Sequence, residues 1–462
     1  MSTGASSLDP RFATDATSER INHLLYARLI DFDERQMPVP GIATWRLINE
    51  SEYEFQLKED RARFTDDSPV TSVDVVASFQ FVLNPANLSP HRESIALIKS
   101  VTAIDEQRIR FAIDQPDPLF PAYLDIAILP AKLIQADHDF NQQPVGSGPF
   151  EFVEKNAEQR LLLKRRRDGQ LVEFLQVKDP TVRVLKLLNQ EVDLLQNDLS
   201  PELYRYLTDQ PQISALHSRG SNFTYLGFNL QDENTGDLRI RQAIAHAINR
   251  EEIIHHVFNN AAAPAESILR PTHWAASDDL PILQFDPPRA RQLLKQAGFD
   301  QEKPLEISYK TSSDPFRIKL ATIIQHQLKQ VGIRMHIKSY DWGTFFGDIK
   351  AGRFQMYSLS WVGIKTPDIY RYVFHSQATP PKGANRGRYS SQRVDELLQQ
   401  VKSSGSLEQQ AKLYRAIQQQ LHEDLPYVPL WYEDQHVFMH KRLHNYRPRE
   451  DGRYDGLESI TH

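Results

Sequence analysis

The 462-residue chain contains no cysteine. That absence excludes thiol catalysis, disulfides and cysteine-bound zinc or iron–sulfur centres. It leaves the compartment open, because disulfide-free proteins occur on both sides of a membrane. Long apolar runs are also missing; none approaches the roughly 18 residues a spanning helix needs. Nor is there an excess of positive charge. With 54 Lys and Arg against 60 Asp and Glu, the net charge is −6, which gives no electrostatic footprint for nucleic acid. The one tight basic run, 164–167, precedes Asp168-Gly169 and is expected to be a solvated strand end and turn.

Enzyme signatures are absent as well: no phosphate-cradling GxxxxGKS/T, no GxGxxG and no GxSxG. Ser147 stands between two glycines, but its pentad is VGSGP, without the strand–turn–helix setting of a nucleophile. His246, His255 and His256 form no i,i+4 pair. His436, His440 and His444 are four apart in a segment that reads as strand and turn, where that spacing does not build a metal pair; surface positions are expected. Catalytic residues, metal ligands and cofactors are therefore not assigned. The first residues, MSTGASSLDP, have neither a charged n-region nor an apolar h-region, so they do not read as an export signal.

At this length two or three domains are expected. After a turn at LDP, a helix carries Ile21, Leu24, Leu25 and Leu29 on one face, with Ser18 or Thr17 as its cap. Tyr53, Phe55 and Leu57, and later Ile109, Phe111 and Ile113, alternate as half-buried strands do. Between them Thr71 and Asp74 have capping-box spacing before a helix with Val75, Val76, Phe79 and Val82. The segment PVGSGP at 144–149 reads as a rigid, tightly bent connection. An apolar strand is expected over 223–230 and one helix over 239–260. The C-terminal half alternates helices and strands, as α/β units do.

Within that half, residues 310–376 form the most informative stretch. Ile318, Ala321, Ile324, Leu328 and Val331 recur at helical spacing, and Gly332 stops the helix. Ile333, Met335 and Ile337 then alternate as a strand, and a second strand over 354–360 delivers Trp361, Val362 and Gly363 into a loop at its C-terminal end. In open α/β sheets ligands bind at such ends. Aromatic residues with polar neighbours suit a concave ligand site. Tyr225, Asn229, Arg270, Tyr357, Asn385 and Arg386 are placed at the site by their predicted positions at strand ends and turns, and Thr14 by its place in the turn before the first helix.

Several motifs together resemble one family. FTDDSPVTSVDVVASFQFVL, PVGSGPF, LNQEVDLL, LRIRQAIAHAINREEII and DPPRARQLLKQAGF occur in the order seen in family 5 of the ABC-importer solute-binding proteins, the dipeptide-, oligopeptide- and nickel-binding type. The resemblance implies an α/β, two-lobed periplasmic-binding-protein fold with an extra inserted subdomain and two hinge strands. Lobe I is expected over 1–31, 144–230 and 429–462, its inserted subdomain over 32–143, and lobe II over 231–428. It implies a non-enzymatic, monomeric, periplasmic or membrane-anchored receptor. Such a receptor captures a small solute in an interlobe cleft and delivers it to a membrane permease. A ligand-sensing module of a regulator is the other reading that this fold leaves open. The dipeptide branch holds the ligand carboxylate with an Arg and the amine with an Asp in WTGD. The corresponding positions here are Thr311 and Ile364, so both zwitterion handles are replaced. Lys365 is left either to attract an anionic group or to face solvent.

Overall fold

In the computed structural model, residues 1–60, 62–156, 160–300 and 302–462 are described. The chain divides into two compact units. One comprises Met1–Ser218, Ser403–Leu407 and Gln435–His462, and the other Arg219–Lys402 and Glu408–Asp434. Both main boundaries fall inside long strands, Ile213–Phe228 and Tyr427–His440. Each strand is longer than its apolar run suggested. The extra residues, 213–222 and 432–440, mix polar, charged and apolar side chains without a regular period, which hides the strands from a search for apolar runs.

In the first unit the opening helix, Ala16–Leu25, is capped by Asp15, whose carboxylate accepts from the Ser18 amide. Ser18, a sequence candidate for that cap, is instead buried inside the first turn. The end of this helix packs on the PVGSGP segment so closely that a Cβ on Gly146 would lie 2.0 Å from the Leu25 carbonyl oxygen. Only glycine fits there. An antiparallel sheet runs in the order Ala43–Asn49, Glu52–Leu57, Arg108–Ile113, Ile98–Ala103. The helix Ser72–Leu83 packs on it, opened by the Thr71–Asp74 capping box that the spacing predicted. Phe111 joins the layers, with ring centroids 5.3 Å from Phe55 and 5.1 Å from Phe79, both edge-to-face.

A three-stranded antiparallel sheet follows: Phe150–Lys155, Leu161–Arg165 and Leu171–Phe174. Here the basic run departs from expectation, because Arg165 is 4% exposed. Its Nη1 donates to the carbonyls of Leu457 and Ile460, each at 2.8 Å, and its Nη2 to Asp168 at 2.7 Å. Unpaired helix-end carbonyls drew a cation inward, a demand invisible in local sequence. The histidine triplet also differs. His440 is buried at the end of its strand, and His436 packs edge-on against Tyr204, with ring centroids 4.9 Å apart. Only His444 is exposed.

The second unit is built on a sheet in which Leu305–Ser312 lies parallel to Ile333–Tyr340 on one side and to Met356–Trp361 on the other. The helix Pro315–Lys329 connects the first pair. Asp314 caps it, and Ala321, Ile324 and Leu328 are buried against Ile307, Ile333 and Met335. Gly332 follows with φ +94°, as its place after the helix requires. The expected single helix over 239–260 is two, Leu238–Ala247 and Arg250–His256. Asn249 breaks it by accepting from the Glu252 amide and so capping the second piece.

Candidate ligand-binding site

The strand Met356–Trp361 pairs antiparallel with Ile213–Phe228, matching Phe223 with Trp361, Tyr225 with Leu359 and Gly227 with Tyr357. The last pairing makes room for an aromatic ring. A Cβ on Gly227 would lie 2.5 Å from Tyr357 Cζ, so any other residue would displace that ring. Tyr357 then stands edge-on to Tyr225 at 5.9 Å between centroids, while Tyr427 stacks on Tyr225 at 3.9 Å. All three rings are buried. Burial, reinforced by neighbouring phenols, pushes the Tyr357 and Tyr427 hydroxyls well above their ordinary pKa. Both therefore remain neutral at any physiological pH.

Against this tyrosine cluster lies Arg386. Its loop is pinned by the preceding Asn385, whose Nδ2 donates to the carbonyls of His375 (3.1 Å) and Tyr389 (2.7 Å) and whose Oδ1 accepts from the Tyr389 amide (2.9 Å). Arg386 Nη1 donates to Tyr225 Oη at 3.2 Å. The guanidinium carbon lies 4.9 Å from the Trp361 ring centroid and 5.2 Å from that of Phe346, within cation–π range of both. Phe346 in turn stacks on Trp342 at 5.4 Å with 7° between planes, and Trp361 meets Tyr372 edge-on at 6.2 Å. The result is a strip of four aromatic rings with one cation in its middle. Its two ends are open: Trp342 is 59% exposed and Tyr372 49%.

A second cation, Lys350, lies 5.1 Å from the Phe346 centroid, and the nearby acids are engaged. Glu433 accepts from Arg317 at 3.2 Å and Thr224 at 2.9 Å. Lys310 is paired with Asp348 at 2.5 Å. Arg386 differs: among the described residues it has no carboxylate partner.

Of the sequence-predicted residues, the structure gathers Tyr225, Tyr357, Trp361 and Arg386. Val362 and Gly363 are exposed in the loop beyond, and Ile364 is half-buried. Thr311 is 3% exposed inside its strand. Asn385 fastens the loop as described, and Asn229 is committed to local contacts with the Gln231 amide and the Gly352 carbonyl. Arg270 donates to the Arg219 carbonyl at 3.3 Å. Thr14 is exposed in the other unit, ahead of its first helix. Phe346, Trp342 and Tyr427 were not among the residues that the sequence assigned to the site. The first two had a usable signal, an aromatic pair at i,i+4 on the helix Trp342–Ala351. Among the described residues, no group of three or more His, Asp or Glu side chains is placed to hold a metal, and no helix is long and apolar enough to cross a membrane.

Comparison with known proteins accords with this architecture. Residues 38–382 match the bacterial extracellular solute-binding proteins, family 5 (middle). The chain is 27% identical to di/tripeptide-binding protein 2 of Pseudomonas aeruginosa (strain UCBPP-PA14), over 95% of this chain and 90% of that protein. Among solved structures it resembles the ABC transporter-associated periplasmic binding protein DppA from Helicobacter pylori in complex with peptide STSA. There the TM-score is 0.80 and the identity 25%, with 99% of this chain and 96% of that one covered. It also resembles NikZ from Campylobacter jejuni in complex with Ni(L-His), with TM-score 0.85 and 24% identity over 100% and 98% of the two chains. These likenesses favour the importer reading over the regulator reading. The chain belongs to the family 5 bacterial extracellular solute-binding proteins, the non-enzymatic substrate receptors of ABC importers.

Proposed function

We propose that this chain is a receptor for a peptide-class solute, which it holds on the aromatic strip around Trp361 and passes, as a monomer outside the cytoplasm, to an ABC permease. The observation that carries the reading is the strip itself. Four aromatic rings form the strip, two of them against one guanidinium, and both ends are left open. Aromatic faces flanked by one oriented polar group suit a small solute that is partly apolar and carries a directional hydrogen-bonding group. The names of the relatives, which include dipeptide- and di/tripeptide-binding proteins, support the solute class.

Native mass spectrometry of the purified protein, followed by thermal-shift screening of a peptide library, tests this reading. A ligand that binds only the folded form raises the melting temperature by mass action. The Trp361→Ala variant is expected to lose the response. An unchanged response in that variant removes the strip from the site.

A further inference from the structure

We infer that Arg386 is the receptor for a carboxylate on the transported solute, and that the preferred solutes carry this carboxylate beside an apolar or planar group. The inference rests on the reading that the ligand lies at the Trp361 strip and adds the chemistry of what is recognised there.

Three observations carry it. Arg386 is a cation always charged at accessible pH, yet it has only a phenol at 3.2 Å and two ring faces for company among the described residues. A half-buried guanidinium offers five N–H donors in a fixed fork, and one hydrogen bond to Tyr225 leaves most of them for another acceptor. Next, the two rings, within cation–π range of the guanidinium, and the Tyr225 hydroxyl restrain it before any ligand arrives. A planar fork held in this way is matched to the two oxygens of a carboxylate, and pre-orientation reduces the entropy lost on binding. Third, the neighbouring acids do not compete. Glu433 is engaged by Arg317 and Thr224, and Asp348 by Lys310. Tyr357 and Tyr427 are neutral and cannot balance the cation.

The fork of one guanidinium matches the two oxygens of a carboxylate, and that match selects the group recognised here. Position 364 adds a second element of specificity. Ile364 is half-buried and apolar, so the loop after Trp361 offers no acid for a ligand ammonium at that point. Solutes whose amine is acylated, or absent, should therefore be accepted on this face as readily as free amines.

Titration calorimetry on the intact chain tests the inference with two probes, N-acetyl-alanyl-phenylalanine and its C-terminal amide. The acid is expected to bind at least tenfold more tightly than the amide, the scale of a charge-assisted hydrogen bond. Arg386→Ala should remove the difference between acid and amide, and Arg386→Lys should keep part of it. A melting curve for each variant shows that it folds. Equal binding of acid and amide by the unaltered protein overturns the inference, as does binding of neither, or a difference that persists in Arg386→Ala. Trp361→Ala separates this from the site reading, because it should weaken the amide as well as the acid. If it weakens neither while Arg386→Ala acts, the Trp361 ring does not hold the ligand, and the site reading fails while the carboxylate reading stands.

Discussion

Tyr225 and Tyr427 stack at 3.9 Å between ring centroids, with 17° between their planes, and so join two strands, Ile213–Phe228 and Tyr427–His440, that both cross the boundary between the units. The stack fixes the floor on which Arg386 rests. Replacing Tyr225 with Phe keeps the stack and removes the hydroxyl that accepts from Arg386. Stability should fall by about 1 kcal/mol, the net worth of one hydrogen bond. Tyr225→Ala removes the stack as well and should cost about 3–5 kcal/mol. Urea unfolding of the two variants separates the terms, and equal losses would show that the stack contributes nothing.

Two glycines should respond to alanine with opposite signs. At Gly146 the new methyl would lie 2.0 Å from the Leu25 carbonyl, so backbone must move and stability should drop by about 3 kcal/mol. At Gly347, inside the helix Trp342–Ala351, a Cβ meets nothing within 4 Å. Alanine there should stabilise by about 0.5–1 kcal/mol through helix propensity. Midpoints of chemical denaturation read both changes.

How much of this was legible in the sequence depends on what each residue answers to. The Thr71–Asp74 cap, the buried face of Pro315–Lys329 and the alternation of Arg108–Ile113 are local patterns, and each was readable. The Trp361 loop was readable because a strand end marked it. Phe346 and Tyr427 were not placed at the site, because their meeting with Arg386 and Tyr225 joins segments far apart in the chain. Arg165 misled for the same reason. Its partners, the carbonyls of Leu457 and Ile460, lie nearly three hundred positions away (|i−j| 292 and 295).

The Arg165–Asp168 pair gives a pH prediction. The hydrogen-bonded Arg165 guanidinium holds the Asp168 carboxyl down at about 2. A carboxyl depressed in the folded state contributes stability above its unfolded pKa, and this is lost as pH falls through the folded value. The pair should therefore support the fold at neutral pH and lose its effect between about pH 4 and pH 2. Asp168→Asn should melt lower than the unaltered protein at pH 7 and converge with it near pH 2. Because Asp168 is 42% exposed, the difference at pH 7 should be small. Curves that stay parallel across that window would exclude the pair as the cause.

The loop after Trp361 yields the last prediction. Simple dipeptides of the Ala-Ala type carry a free ammonium and a carboxylate a few ångströms apart, and burying either charge without a partner is costly. In the proposed site Arg386 would take the carboxylate, while Ile364, half-buried and apolar, would offer the amine no acid. Ala-Ala should therefore give little or no thermal shift at concentrations where an N-acylated peptide acid responds. Introducing a carboxylate by Ile364→Asp should improve the response to Ala-Ala, because the half-buried position then offers the ammonium a partner. The same change should weaken the N-acylated acid, since a second anion near the carboxylate repels it. A clear micromolar response of the unaltered protein to Ala-Ala would refute this account, and so would an Ile364→Asp variant that treats both ligands as before. Opposite movements of the two ligands are the expected result. They are the informative one, because general loosening of the loop would weaken both together.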